Sequence, residues 1–115
     1  MSIRISKEFH FSASHRLDGL PQDRPCGRLH GHHYVVELEL SAAADGLDAT
    51  GFVRDHGDLS AFGRWLDGRV DHRHLNDVLG DHDPSAENLA RWLYERWSDE
   101  YPELSSVRVS ETPKT

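Results

Sequence analysis

The stretch His30-Gly31-His32-His33-Tyr34-Val35-Val36-Glu37-Leu38-Glu39-Leu40 decides the fold. Every second position is a histidine or a large apolar residue: His30, His32, Tyr34, Val36, Leu38 and Leu40. Glu37 and Glu39 fall between them. Strict alternation predicts a strand with one face in a core and the other in contact with water. Upstream, Ile3 to Ser12 repeats the pattern. Ile3, Ile5, Phe9 and Phe11 share a face, and His15 has the same parity if the strand reaches it. Between these segments Pro21, Pro25 and Gly27 mark Leu20 to Arg28 as a loop.

Downstream the period changes. Ala44 to Thr50 reads as a turn region and Gly51 to Val53 as a short return. Leu59, Phe62 and Leu66 recur at helical spacing, with Asp58 as the N-cap and Gly68 as the stop. Val70 to Asp83 is a polar connection rich in Asp and His. A second helix opens at Asp83-Pro84-Ser85, and Ala86, Leu89, Ala90, Leu93 and Trp97 form its apolar stripe. Pro102 closes that region. Val107, Val109 and Glu111 then alternate as a last strand. The order β-β-α-α-β predicts an α+β fold: an antiparallel sheet with two α-helices packed on one face.

The chain has 115 residues, a length suited to one domain spanning positions 1–115. Thirteen basic against 20 acidic residues give a net charge of -7, which disfavours nucleic acid as a partner. No apolar run approaches the roughly 20 residues of a membrane span, and Met1 to Phe11 lacks a signal-peptide block. The single cysteine, Cys26, excludes an intramolecular disulfide and fits a reducing cytoplasm. Nine histidines are the unusual count.

Those histidines define the first constellation. His30 and His32 project from one strand face about 7 Å apart, close enough for both imidazoles to converge on one ion. His15 supplies a third nitrogen if the first two strands form a hairpin. Three His with no fourth protein ligand is the pattern of a catalytic zinc with an open position. Separately, each is an ordinary exposed or capping histidine. Cys26 precedes His30 in the Pro/Gly loop. It is a base or nucleophile, a fourth ligand that would make the zinc structural, or a plain loop thiol. Asp71-His72 is either an oriented proton relay or a surface pair. Glu111, on the inward parity, needs a bidentate partner such as an amino-pyrimidine edge, unless it stands in solvent at the strand end. His10, His33, His56 and His82 carry no spacing argument and read as surface or packing residues.

Five blocks occur together and in order: Phe11-Ser12-Ala13-Ser14-His15; Cys26-Gly27-Arg28-Leu29-His30-Gly31-His32; Val70-Asp71-His72-Arg73-His74-Leu75-Asn76-Asp77; Pro84-Ser85-Ala86-Glu87-Asn88-Leu89-Ala90; and Val109-Ser110-Glu111-Thr112. In these the chain resembles the family of 6-pyruvoyl-tetrahydropterin and 6-carboxytetrahydropterin synthases. The resemblance implies a tunnelling fold, ββααβ(β), whose relatives continue into one more strand beyond the position of Thr115. It implies a homo-oligomer, a hexamer built as a dimer of trimers, with sites between subunits. By the same resemblance His15, His30 and His32 hold one Zn2+ per subunit and Cys26 is the catalytic proton acceptor. Asp71 and His72 form a relay reaching a neighbouring subunit. Glu111 anchors a pterin substrate, with Ser85 near the pterin edge.

Three residues separate Cys26 from His30. That short spacing resembles the 6-carboxytetrahydropterin synthases of queuosine (7-deazapurine) biosynthesis. The pyruvoyl enzymes are the alternative, and a non-catalytic structural zinc module is a rival of another class. Asp55-His56 departs from the family, where Asp-Phe is common.

Overall fold

The computed structural model describes residues 1–115. Strand β1 (Ser2–His15) and strand β2 (His30–Ala43) form a long antiparallel hairpin with His15 opposite His30. Strand β4 (Leu104–Ser110) pairs antiparallel with β2 on its other side, with a register irregularity at Glu39/Leu40. The first strand is longer than Ile3–Ser12, because its partner provides hydrogen bonds as far as His15. No strand forms at Gly51–Val53, where the chain turns and bends.

Helix α1 (Ser60–Arg69) and helix α3 (Ala86–Trp97) carry the predicted apolar spacings. Between them the expected polar connection instead contains strand β3 (Arg73–His74) and helix α2 (Leu75–Leu79). The sheet order is β3-β1-β2-β4, and β3 pairs parallel with β1, so the sheet is mixed rather than wholly antiparallel. That edge rests on backbone bonding. The His72 N–H donates to the Ser12 carbonyl at 2.7 Å, beside the Ala13↔Arg73 pair. Leu75, fully buried, pins α2 to the core within an otherwise polar stretch.

Two end signals differ from expectation. Asp55, not Asp58, is the capping carboxylate. It accepts the Gly57 N–H at 2.9 Å and opens a 3-10 turn, His56–Leu59, that leads into α1. Gly68 lies inside α1, since a lone glycine only weakens a helix by about 1 kcal/mol. Ser85 caps α3 by accepting the Asn88 N–H at 3.1 Å, and Pro84 lies just outside the helix.

The core lies between one sheet face and the helices. Phe11, Tyr34, Val36, Leu38 and Leu40 point inward from the sheet. Leu59, Phe62, Leu66, Leu89 and Leu93 meet them. Each fully buried Leu or Phe contributes roughly 1.5–3 kcal/mol. Phe11 stacks on Tyr34 at 4.9 Å, next to the histidines at the loop end of the hairpin. The same period-two parity that drives Val36 and Leu38 into the core therefore points His30 and His32 inward, where the apolar layer ends.

Candidate metal centre and adjoining cleft

The hairpin register places His15, His30 and His32 together: one ring nitrogen from each lies within 4.8 Å of the other two. Cys26 does not belong to that group of mutually close ligand atoms. His15 is 1% exposed. Burial, the largest influence, holds its imidazole below the ordinary value, and the nearby His30 and His32 act the same way. The Pro84 carbonyl and Glu111 oppose them.

Hydrogen bonding fixes which nitrogens are free. The Nδ1–H of His15 donates to the Pro84 carbonyl at 2.7 Å, and the Nδ1–H of His30 donates to the Arg28 carbonyl at 2.6 Å. A carbonyl oxygen only accepts, so each neutral ring carries its lone pair on Nε2. These two Nε2 atoms face each other at 2.8 Å. Lone pairs so placed repel unless a cation lies between them. Donor type and the outer carbonyl partners match a histidine-bound transition metal such as zinc. Pro84 and Arg28 cannot be read from the sequence as orienting groups, because backbone carbonyls leave no residue-type signal.

Tyr34, read only as part of the core stripe, also belongs to this centre. Its hydroxyl lies 3.2 Å from His15 Nδ1. Burial, with the Glu111 charge adding to it, pushes the phenol far above its ordinary value, so it stays protonated.

A cleft of about 300 Å³ adjoins the histidines. His15, Cys26, Ser85 and Glu111 line it together with Glu87. Four of the residues singled out in the sequence thus meet although they come from distant positions. Cys26 is exposed on the 3-10 turn Pro25–Gly27. Its neighbour Gly27 is buried against the Pro21 carbonyl, with no room for a Cβ. Glu111 follows β4 directly, and its Oε2 lies 3.7 Å from His32 Nε2.

Asp71 and His72 stand apart from Cys26. Asp71 accepts the Ser12 N–H at 2.9 Å and lies 3.5 Å from His72 Nδ1. His72 has φ 58, a left-handed conformation unusual for a residue with a Cβ, and its side chain is 76% exposed. It borders a second cleft on the other side of the hairpin, with Ser12, Ser14 and His33. His33 and His10, which carry no spacing argument and read as surface or packing residues, are hydrogen-bonded to each other at 3.1 Å. They are diagonal neighbours on adjacent strands, with His10 opposite Val35 and His33 opposite Ser12.

Comparison with known proteins identifies the family and the fold. The family model described as 6-pyruvoyl tetrahydropterin synthase matches residues 4–115. A 6-carboxy-5,6,7,8-tetrahydropterin synthase of Synechocystis sp. is 36% identical over 94% of this chain and 85% of its own length. One from Haemophilus influenzae is 31% identical over 96% of this chain and 94% of its own. The solved structure of Caenorhabditis elegans 6-pyruvoyl tetrahydropterin synthase superposes with a TM-score of 0.83 at 27% identity, covering 99% of this chain and 91% of that one. The sheet and helices described above are the tunnelling fold, and the chain belongs to the 6-pyruvoyl tetrahydropterin synthase family.

Proposed function

We propose that the protein is a zinc-dependent 6-carboxytetrahydropterin synthase. It would convert 7,8-dihydroneopterin triphosphate and water to 6-carboxy-5,6,7,8-tetrahydropterin, acetaldehyde and triphosphate, in the cytoplasm, on the route to queuosine and other 7-deazapurines. The observation that carries the reading is the pair of Nε2 lone pairs of His15 and His30, turned toward each other beside a cleft that holds Cys26 and Glu111. Relatives named for the carboxy activity at 36% and 31% identity support the choice of product.

In this reading His15, His30 and His32 hold the zinc, which as a Lewis acid would make the substrate's side-chain hydroxyls and the adjoining C–H more acidic. Cys26 lies outside the ligand cluster, which suits a proton acceptor and not a fourth ligand. Its sulfur takes and returns a proton at the substrate side chain. The carboxylate of Glu111 accepts two N–H groups from the amino-pyrimidine edge, so the ring is held while its side chain extends toward the histidines. Ser85 borders the same edge. His72, oriented by Asp71, exchanges the complementary proton from a neighbouring copy of the chain. The active form is then a homo-oligomer, a hexamer of two trimers.

The test is product analysis by mass spectrometry, using zinc-loaded protein and 7,8-dihydroneopterin triphosphate. The expected result is 6-carboxytetrahydropterin with acetaldehyde. A 6-pyruvoyl product alone would transfer the protein to the sister activity of the C. elegans structure. Unchanged substrate, with zinc bound, would overturn the enzyme reading in favour of a structural zinc module.

A further inference from the structure

A cluster of arginines lies away from His15, His30 and His32. A cleft of about 610 Å³ opens where α1, β3, α2 and α3 meet. Arg69, Arg73 and Arg96 line it, together with Trp65 and Trp92. Asp77 is the sole carboxylate in its wall. The chain as a whole carries -7, so a local excess of guanidinium groups opposes the molecule's own field.

These arginines are not used internally as charges. The ion-paired arginines of the chain are Arg4, Arg16, Arg54 and Arg108. Arg69, Arg73 and Arg96 form no ion pair, although the chain has 20 acidic residues. The Arg73 guanidinium donates only to the Gly68 carbonyl, at 3.1 Å, and the Arg96 guanidinium lies 5.1 Å from the centre of the Trp65 ring. Most of their N–H donors remain free, and a planar guanidinium matches phosphate oxygens in paired hydrogen bonds. The two indoles, 5.4 Å apart, add flat aromatic surface to the same wall. The volume falls within the range of roughly 300–1,000 Å³ usual for small-molecule sites.

We infer that this cleft binds a phosphorylated compound carrying a flat heteroaromatic ring, a nucleotide in chemical class. Its phosphates lie against Arg69, Arg73 and Arg96, and its ring lies against Trp65 and Trp92. Asp77 accepts from a sugar hydroxyl or ring amino group. The cleft shares no lining residue with the one that holds Cys26 and Glu111, so it is a second site; Arg73 also borders the cleft beside His72.

The experiment is titration of zinc-loaded, full-length protein with ATP, inorganic tripolyphosphate and adenosine, read by tryptophan fluorescence and calorimetry. ATP should quench the indoles and bind at least tenfold more tightly than either fragment. Arg69→Gln and Arg96→Gln should each weaken ATP about tenfold, as expected for the loss of a charge-assisted pair. Arg96→Lys should recover part of that loss. Glu111→Gln, which alters the pterin anchor, should leave ATP binding unchanged. Affinity unaffected by both glutamine variants, or lost in Glu111→Gln, would overturn the inference. Tripolyphosphate binding as tightly as ATP would overturn the role given to the indoles.

Discussion

Residue Cys26 separates the catalytic reading from the structural one. It lies beside the histidines without joining their group of close nitrogens. Cys26→Ala should therefore keep zinc, measured by atomic emission, and lose turnover by at least about 100-fold, the lower range for removing an acid–base group. Loss of zinc in that variant would make the thiol a ligand. His30→Ala should lose zinc and turnover together. His15 adds a pH dependence to the zinc-free protein. Burial lowers its proton affinity in the folded chain, whereas the unfolded chain protonates it near the ordinary value of about 6.5. Below that value the unfolded state binds more protons, so stability should fall as pH drops from about 7 to about 5. Chelator-treated protein unfolded by urea across that range would show the slope. His15→Gln should flatten it; an unchanged slope would assign it to other groups. His72 stores strain instead. At φ 58 a glycine is more comfortable, so His72→Gly should raise stability by up to about 1 kcal/mol while turnover collapses. Alternation and parity made the three histidines legible as a group. The φ of His72 and the carbonyls of Pro84 and Arg28 were not legible, because tertiary contacts set them and no residue type encodes them.

Among the elements, those with sustained period were readable and those made by docking were not. Helix α3 declares itself through Leu89 and Leu93 at i, i+4 and through Ser85 at its start. Helix α2 spans only Leu75–Leu79, too short for a repeat to emerge from its Asp-rich surroundings. Strand β3 has two residues and exists because Ser12 binds both the Asp71 carboxylate and the His72 N–H. The 3-10 turn Pro25–Gly27 carries Cys26, the proposed proton acceptor, and Gly27 sets its position. Any Cβ there would meet the Pro21 carbonyl. Gly27→Ala should displace the turn, lowering turnover at least tenfold with zinc retained and with little change in global stability. Zinc analysis, kinetics and thermal unfolding on one preparation would check it. Unaltered turnover would show that the turn does not position the thiol.

At the scale of the molecule, the separation of Cys26 from Asp71-His72 implies that one chain does not complete the proposed site. The thiol opens into the cleft with Ser85 and Glu111, whereas His72 projects, largely exposed, beside Ser12 and Ser14 on the other side of the hairpin. Both sheet edges, β3 and β4, are open to pairing in the single chain. An unpaired edge is a template for another copy, and pairing edge to edge would bring one copy's β3 region toward its neighbour's β4 and Glu111. That geometry predicts complementation between two inactive variants. Cys26→Ala retains a working His72, and His72→Ala retains a working Cys26. Co-expressed as mixed oligomers, about a quarter of the sites would pair an intact thiol with an intact relay if the copies assort at random. Turnover should then rise from background toward about a quarter of the unmutated value. Each variant assayed alone, and the two mixed without subunit exchange, should stay at background. Mixed oligomers that remain inactive, while retaining zinc, would place the relay and the thiol in the same chain and remove the shared site from the proposal.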